Sequence, residues 1–244
     1  CGIGNWKMLS VIWALVPAVN LYLFTKVPVP SPEDKIKEAD RDPKAKNAPK
    51  ERLLTRGIFW LFFVMMICSG ASEQAVSQWA SALAEKGLGI AKSLGDLLGP
   101  MFFALMMGLS RFIYGKFGEK MSLKWFMAVS VVLCLLGYLG ITLVPIPIFN
   151  LLCCGLVGFS VGIFWPGTFS LGAANLPMGG TRMFALYALA GDIGCMTGPT
   201  VAGRVAAAAG ENLKTGILGA FGFPIMMGIC LVILYLSTHK KMEG

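Results

Sequence analysis

The sequence has few charged side chains for its length of 244 residues. Asp, Glu, Lys and Arg make up 14% of it, while apolar residues make up 56% and the mean hydropathy is +0.69. A soluble domain carries about 25% charged residues, so this chain lacks the charges needed to cover a water-exposed surface. The composition argues against a cytosolic enzyme, a secreted disulfide-rich domain and a disordered chain.

Residues for catalysis and metal binding are also scarce. The only histidine, His239, lies in the polar C-terminal tail, and six of the seven cysteines fall inside apolar runs without a C-x-x-C pair. Phosphate-binding loops, H-E-x-x-H and G-x-S-x-G motifs do not occur. We therefore predict no enzymatic activity, no cofactor and no metal site. The net charge of +8 does not indicate a nucleic-acid partner, because the basic residues cluster in short loops between apolar runs.

What the sequence does contain is long apolar runs. A helix of about 20 apolar residues crosses the hydrocarbon core of a bilayer, and backbone groups in lipid must be satisfied within the helix. We predict an all-α, multi-pass membrane protein that has the lipid bilayer as a partner. Seven segments meet the length requirement: Leu9–Val27, Gly57–Ala82, Leu94–Ile113, Leu123–Val144, Ile146–Asn175, Met183–Ala209 and Thr215–Ser237.

One polar stretch, Pro28–Arg56, separates the first apolar segment from the other six. It is rich in proline and in charges of both signs, which is typical of a linker. Sixteen of the 21 Lys and Arg residues fall on its side of the membrane in the alternating topology. The positive-inside rule then predicts a cytoplasmic linker, an external N-terminus and a cytoplasmic C-terminus in a plasma (inner) membrane. The predicted organisation is a helix in 1–27, a linker in 28–56 and a six-helix bundle in 57–244.

Polar side chains form a stripe in the second segment. Gln74 and Gln78 are four residues apart and adjoin Glu73, so they share one side of a helix, next to Trp79. The first interpretation is a substrate site in which a carboxylate and amides bind hydroxyl groups and an indole stacks on an apolar face. The alternative is that Glu73, about 24 Å along the helix from Gly57, marks its outer end. We favour the substrate-site interpretation, because ionisable side chains within a membrane usually have a functional role.

Asp192 is the second intramembrane carboxylate, nine positions into the sixth segment. It either binds a proton or substrate, or bonds a neighbouring helix as a structural group. We take Glu73 as the first candidate for proton coupling and Asp192 as the second. Asp96, which opens the third segment, is predicted to cap that helix.

Glycine and proline mark two further segments. Gly194, Gly198 and Gly203 lie on the sixth segment at spacings that predict close helix packing. The fifth segment contains Pro166 and Gly167 between Trp165 and Thr168, which predicts a bent helix beside a cavity. We regard Trp165 and Thr168 as weaker substrate-binding candidates.

Four stretches carry a resemblance to a known family. Residues 111–120 resemble the loop motif G-x-x-x-D-[RK]-x-G-[RK]-[RK] of the major facilitator superfamily; Lys116, Gly118 and Lys120 match, and Arg111, Gly115 and Glu119 depart from it. Residues 198–203 are similar to that superfamily's G-P-x-x-G-G motif. Residues 73–79 and 164–171 resemble the fucose-permease branch of its sugar transporters.

The resemblance implies the C-terminal half of a major facilitator fold. The first segment would be helix six, the linker the central cytoplasmic loop, and the remainder helices seven to twelve. It further implies a symporter of a small sugar-like solute that works by alternating access with protons, together with a missing N-terminal half as partner. We expect residues to precede Cys1.

Two other classes of membrane protein remain as alternatives. A seven-helix receptor would share the external N-terminus, but the last segment has no lysine for retinal, and Ser110-Arg111-Phe112 is a poor match to an Asp-Arg-Tyr triplet. A channel is the third option, although the sequence shows no filter-like re-entrant segment.

The predicted topology can be tested by cysteine labelling in a background without native cysteines. A single cysteine between residues 39 and 48 should react only with a membrane-permeant thiol reagent, since the linker is predicted to be cytoplasmic. A cysteine replacing Gly87 should react with an impermeant reagent in intact cells. The reverse pattern would contradict the orientation.

Overall fold

The computed structural model describes residues 6–26 and 53–240, which fall into two units. The first unit is helix α1, Trp6–Lys26, with Pro17 inside it and Lys26 in its last turn. It confirms a helix where the first apolar segment was predicted. The predicted linker, up to residue 52, lies outside the described residues.

The second unit is an all-α bundle that begins with a short 3-10 turn, Leu53–Thr55. Three of its apolar segments are each divided into two helices by a short break. Its helices are α2 Gly57–Ser77, α3 Ala80–Leu88, α4 Lys92–Phe117, α5 Leu123–Leu143, α6 Pro147–Val161, α7 Phe164–Asn175, α8 Gly180–Ala208, α9 Leu213–Gly219 and α10 Gly222–Lys240.

Five helical stretches of the described residues are long and apolar enough to cross a membrane. They cover α2–α3, α4, α5, α6–α7 and α9–α10, with mean hydropathies from 1.4 to 2.5. Helix α8 falls outside this set, and Asp192, Pro199 and its many glycines are the residues that make it less apolar. A multi-pass helical membrane protein is confirmed, although its orientation stays a prediction.

The packing predicted for the glycines of the sixth segment is confirmed. A side chain at Gly194 would collide with the backbone of Ile67, and one at Gly198 with the backbone of Ala71. On the opposing helix, a Cβ atom at Gly70 would collide with the carbonyl oxygen of Gly191. Helices α2 and α8 therefore touch backbone to backbone, which only glycine permits.

A second glycine seam joins α4 to α6. A Cβ atom at Gly158 would meet the backbone of Phe103, and one at Gly162 would lie 2.8 Å from the carbonyl oxygen of Met107. The two seams bring four helices together around a core in which the largest fully buried side chains include Tyr138, Tyr187, Phe59, Phe62 and Phe164. The described cysteines are free, and five of the six are buried in this core, as predicted.

Two local predictions about α4 are wrong. The helix begins at Lys92 after Ala91, so Asp96 lies inside it and does not cap it; Asp96 instead accepts a hydrogen bond from Ser81 of α3. The helix also continues to Phe117. Arg111 and Gly115, which the motif resemblance placed in a loop, are therefore helical, and the loop is reduced to residues 118–122.

The α2–α8 seam predicts a contrast between two glycines in helices. Gly198→Ala should lower the melting temperature of the purified protein, because a methyl group would lie 2.8 Å from the Cα atom of Ala71 and overpacking costs roughly 1–3 kcal/mol. Gly108→Ala is the matched control, since a Cβ atom there has nothing within 4 Å. Equal melting temperatures for the two variants would contradict the tight seam.

Candidate functional site

The predicted polar stripe of α2 is a connected row of side chains. The Gln74 amide donates from Nε2 to Glu73 Oε1 at 3.4 Å, and Gln78 Nε2 donates to Gln74 Oε1 at 3.4 Å. Glu73 and Gln74 are half-buried and Gln78 is exposed. The row therefore runs from the bundle interior toward its surface and ends where α2 breaks.

Arg111 of α4 points into this region from the opposite helix. Its Nε donates to the carbonyl oxygen of Gly162 at 3.0 Å, and its guanidinium lies within electrostatic range of the Glu73 carboxylate. Arg111 is exposed and Glu73 is half-buried, so the attraction between the guanidinium on α4 and the carboxylate on α2 acts at a distance and is not a direct ion pair.

The carbonyl of Gly162 is available because the helix is broken there. Helix α6 ends at Val161 and α7 begins at Phe164, so the break lies at residues 162 and 163. Pro166, in the first turn of α7, lacks the N–H that would bond the carbonyl of Gly162 four residues earlier. The break just before Pro166 therefore agrees with the predicted bend, and Arg111 is the group that satisfies the freed carbonyl.

Helix α8 supplies the second carboxylate on the same side. Asp192 is exposed and Cys195 is half-buried, and the carboxylates of both Glu73 and Asp192 lie within electrostatic range of the Cys195 sulfur. The two candidates for proton coupling thus share a neighbour, although they belong to different helices.

These residues form one cluster, which we name the polar face. It can bind hydroxyl or carboxylate groups through amides and a guanidinium, and its carboxylates can exchange protons. No cluster of three potential metal ligands occurs among the described residues. The polar face consists of Glu73, Gln74, Gln78, Arg111, Asp192 and Cys195.

Comparison with known proteins identifies the family. The model of the Major Facilitator Superfamily matches residues 1–199, which is well over half of the chain. The chain belongs to the Major Facilitator Superfamily. No curated protein and no solved structure matched it. Because the members of this superfamily are membrane transporters and not enzymes, the chain is a membrane transporter, and the receptor and channel alternatives are set aside.

Three predicted residues of this major facilitator transporter lie outside the polar face. Trp79 is half-buried close to Gly203 of α8, and its Nε1 is buried without a partner. Thr168 is fully buried with an unpaired hydroxyl. Trp165 is half-buried, and its ring fills the space where a side chain of Gly191 would lie. Their role in binding substrate stays a prediction.

Arg111 is the polar-face residue that sequence reasoning assigned to another role. The motif resemblance placed Arg111 in a loop. The more informative feature was its position inside the helix, well before the helix ends. Arg111 lies six residues before Phe117, almost two turns inside the helix. An arginine inside a membrane-spanning helix needs a partner, and the carbonyl of Gly162 supplies one.

The bond from Arg111 predicts a local effect of removing it. Arg111→Gln should speed amide hydrogen exchange across residues 162–168 by roughly tenfold or more, since a hydrogen bond to a charged group is worth about 1.5–3 kcal/mol. Arg111→Lys keeps the charge but not the planar guanidinium, so its effect should be smaller.

Lys116→Gln is the control for this measurement, because it removes a charge near the end of the same helix. If amide hydrogen exchange in residues 162–168 of Arg111→Gln keeps the rate of the unaltered protein, the break does not depend on Arg111.

Proposed function

We propose that this transporter moves a small polar, sugar-like solute by alternating access and that protons drive it. The observation that carries the proposal is the polar face itself. Carboxylates, amides and a guanidinium from α2, α4 and α8 gather in one part of a bundle whose core is mostly apolar. Charged groups within a membrane span cost roughly 2.5–3.5 kcal/mol each, so their concentration favours a functional site.

The chemistry of the polar face supports a hydroxyl-rich substrate. Gln74 and Gln78 each present a donor and an acceptor, and ionised Glu73 adds acceptors, a set that suits neighbouring hydroxyl groups of a sugar ring. The resemblance of residues 73–79 and 164–171 to the fucose-permease branch points the same way. Trp165, next to Gly191, is the aromatic residue best placed to approach such a ring.

Proton coupling is supported by the surroundings of the two carboxylates. Glu73 is half-buried, accepts a hydrogen bond from Gln74 and lies within electrostatic range of Arg111 on α4, so gain or loss of its proton changes the charge balance between two helices. Asp192 is exposed on α8. Glu73 is therefore the first choice for coupling.

Alternating access requires a second structural unit to close over the polar face. Transporters of this kind place their substrate between two helical bundles that rock about it. We propose that α2–α10 form one such bundle, the C-terminal half, and that an N-terminal bundle covers Gln78, Arg111 and Asp192. The membrane is proposed to be a plasma (inner) membrane with the C-terminus in the cytoplasm, as the basic residues predict.

The proposed function is tested by uptake into vesicles that contain the intact purified protein. A panel of radiolabelled hexoses and deoxyhexoses is offered with and without an inward pH gradient, and a protonophore serves as control. Concentrative uptake of at least one sugar that the protonophore abolishes is the expected result. Absence of sugar uptake together with uptake of an unrelated solute would refute the proposed substrate class.

Glu73→Gln should separate coupling from binding. The variant keeps the size and most hydrogen bonds of the side chain but fixes it neutral. If Glu73 carries the proton, the variant should exchange labelled sugar across the membrane at a near-normal rate and fail to concentrate it under a pH gradient. Both measurements are made on the same reconstituted sample.

Asp192→Asn is the matched variant for this measurement. It should retain concentrative uptake if Glu73 alone couples. Normal pH-driven accumulation by Glu73→Gln would remove that residue from the coupling role and leave Asp192 as the remaining intramembrane carboxylate of the polar face. Parallel loss of exchange and accumulation in Glu73→Gln would instead assign Glu73 to substrate binding.

A further inference from the structure

A groove lies between α5 and α10, a pair of helices that contributes no residue to the polar face. Its volume is about 520 Å³, within the range of small-molecule sites. The walls are almost entirely apolar, and exposed Val132 and Val232 are among the residues that line them. A groove of this composition on a membrane protein suits a hydrocarbon chain.

Small residues create the groove. Ala128 of α5 and Gly228 of α10 line it, and they leave space where larger side chains would fill the gap between the helices. Below them the helices are close, since a Cβ atom at Gly228 would lie 3.2 Å from Val131 Cγ1. The groove therefore has a floor of packed side chains and is open along its length.

The length of the groove matches one leaflet of a bilayer. Its lining on α5 extends from Ser122, directly before the helix, to Val132. Ten residues of helix correspond to about 15 Å, and the hydrocarbon core is about 30 Å thick. The groove thus begins at the membrane surface and ends near the mid-plane, the depth that one acyl chain reaches.

The mouth of the groove is basic and aromatic. Lys124, in the first turn of α5, and the Ser122 hydroxyl lie there. Trp125 and Tyr235, also in the lining, are 60% and 57% exposed, as is typical of aromatic side chains at the membrane interface. Basic pockets between helices on the cytoplasmic side bind anionic headgroups, and the positive-inside rule predicts that side here.

We propose that the α5–α10 groove binds an anionic glycerophospholipid. One acyl chain would occupy the groove from Ala128 to Val132, and the headgroup phosphate would accept hydrogen bonds from Lys124 and Ser122. This site is separate from the polar face, so it stands whatever solute the transporter carries.

The proposal is tested by native mass spectrometry of the whole protein in detergent, titrated with phosphatidylglycerol or phosphatidylcholine. The protein should retain phosphatidylglycerol in preference. Lys124→Gln should weaken that retention about fivefold, the effect expected for one basic residue near the membrane surface, and leave phosphatidylcholine unchanged. Lys92→Gln, an exposed lysine at the start of α4 and outside the groove, is the control and should behave as the unaltered protein.

A second pair of variants tests the acyl chain. Ala128→Phe fills the groove and should reduce retention of both lipids, whereas Leu136→Phe, one turn beyond the groove on the same exposed side of α5, should not. Unchanged phosphatidylglycerol retention in Ala128→Phe would overturn the site. If Ala128→Phe reduces lipid retention but the unaltered protein does not prefer phosphatidylglycerol, the proposal of an anionic headgroup is wrong. The same holds if Lys124→Gln leaves phosphatidylglycerol retention unchanged.

Discussion

The carbonyl oxygen of Gly162 depends on the guanidinium of Arg111, because Pro166 lacks the N–H that would otherwise bond it. An unsatisfied carbonyl within a bilayer is costly, so this hydrogen bond ties α4 to the break between α6 and α7. The charge of Arg111 also lies within electrostatic range of the Glu73 carboxylate, so the cation that holds the break also acts on α2.

Glycine packing makes this arrangement possible. The seam of Gly194 and Gly198 against Ile67 and Ala71 holds α8 at backbone contact with α2, and the seam at Gly158 and Gly162 does the same for α6 and α4. Each seam gives a residue of the polar face a fixed neighbour: Glu73 lies within electrostatic range of Cys195 on α8 through the first, and Arg111 bonds Gly162 through the second. Rigid helices on either side leave the breaks as the places where the bundle can bend.

The sequence predicted the helices well and the site in part, for reasons that can be traced to particular residues. Apolar length alone specifies a spanning helix, so the segments match the structure closely, and the spacing of Gly194 and Gly198 predicted a seam that the structure confirms. Glu73, Gln74 and Gln78 were found because polarity is conspicuous in an apolar run. Arg111 was missed and Asp96 misassigned because each bonds a residue distant in the sequence, Gly162 and Ser81, and such pairing is invisible in one sequence. Their roles in transport stay predictions.

The breaks in α2–α3 and α6–α7 fall close to the polar face, and a physical reason connects the two. An unbroken helix presents only side chains to a ligand, whereas a break also frees backbone donors and acceptors. In a bilayer those groups are tolerated only where protein or a water-filled cavity satisfies them. Arg111 satisfies Gly162, and Gln78 ends its amide row where α2 stops at Ser77. The two breaks therefore place backbone groups with unmet hydrogen-bonding capacity beside the polar side chains of the cluster.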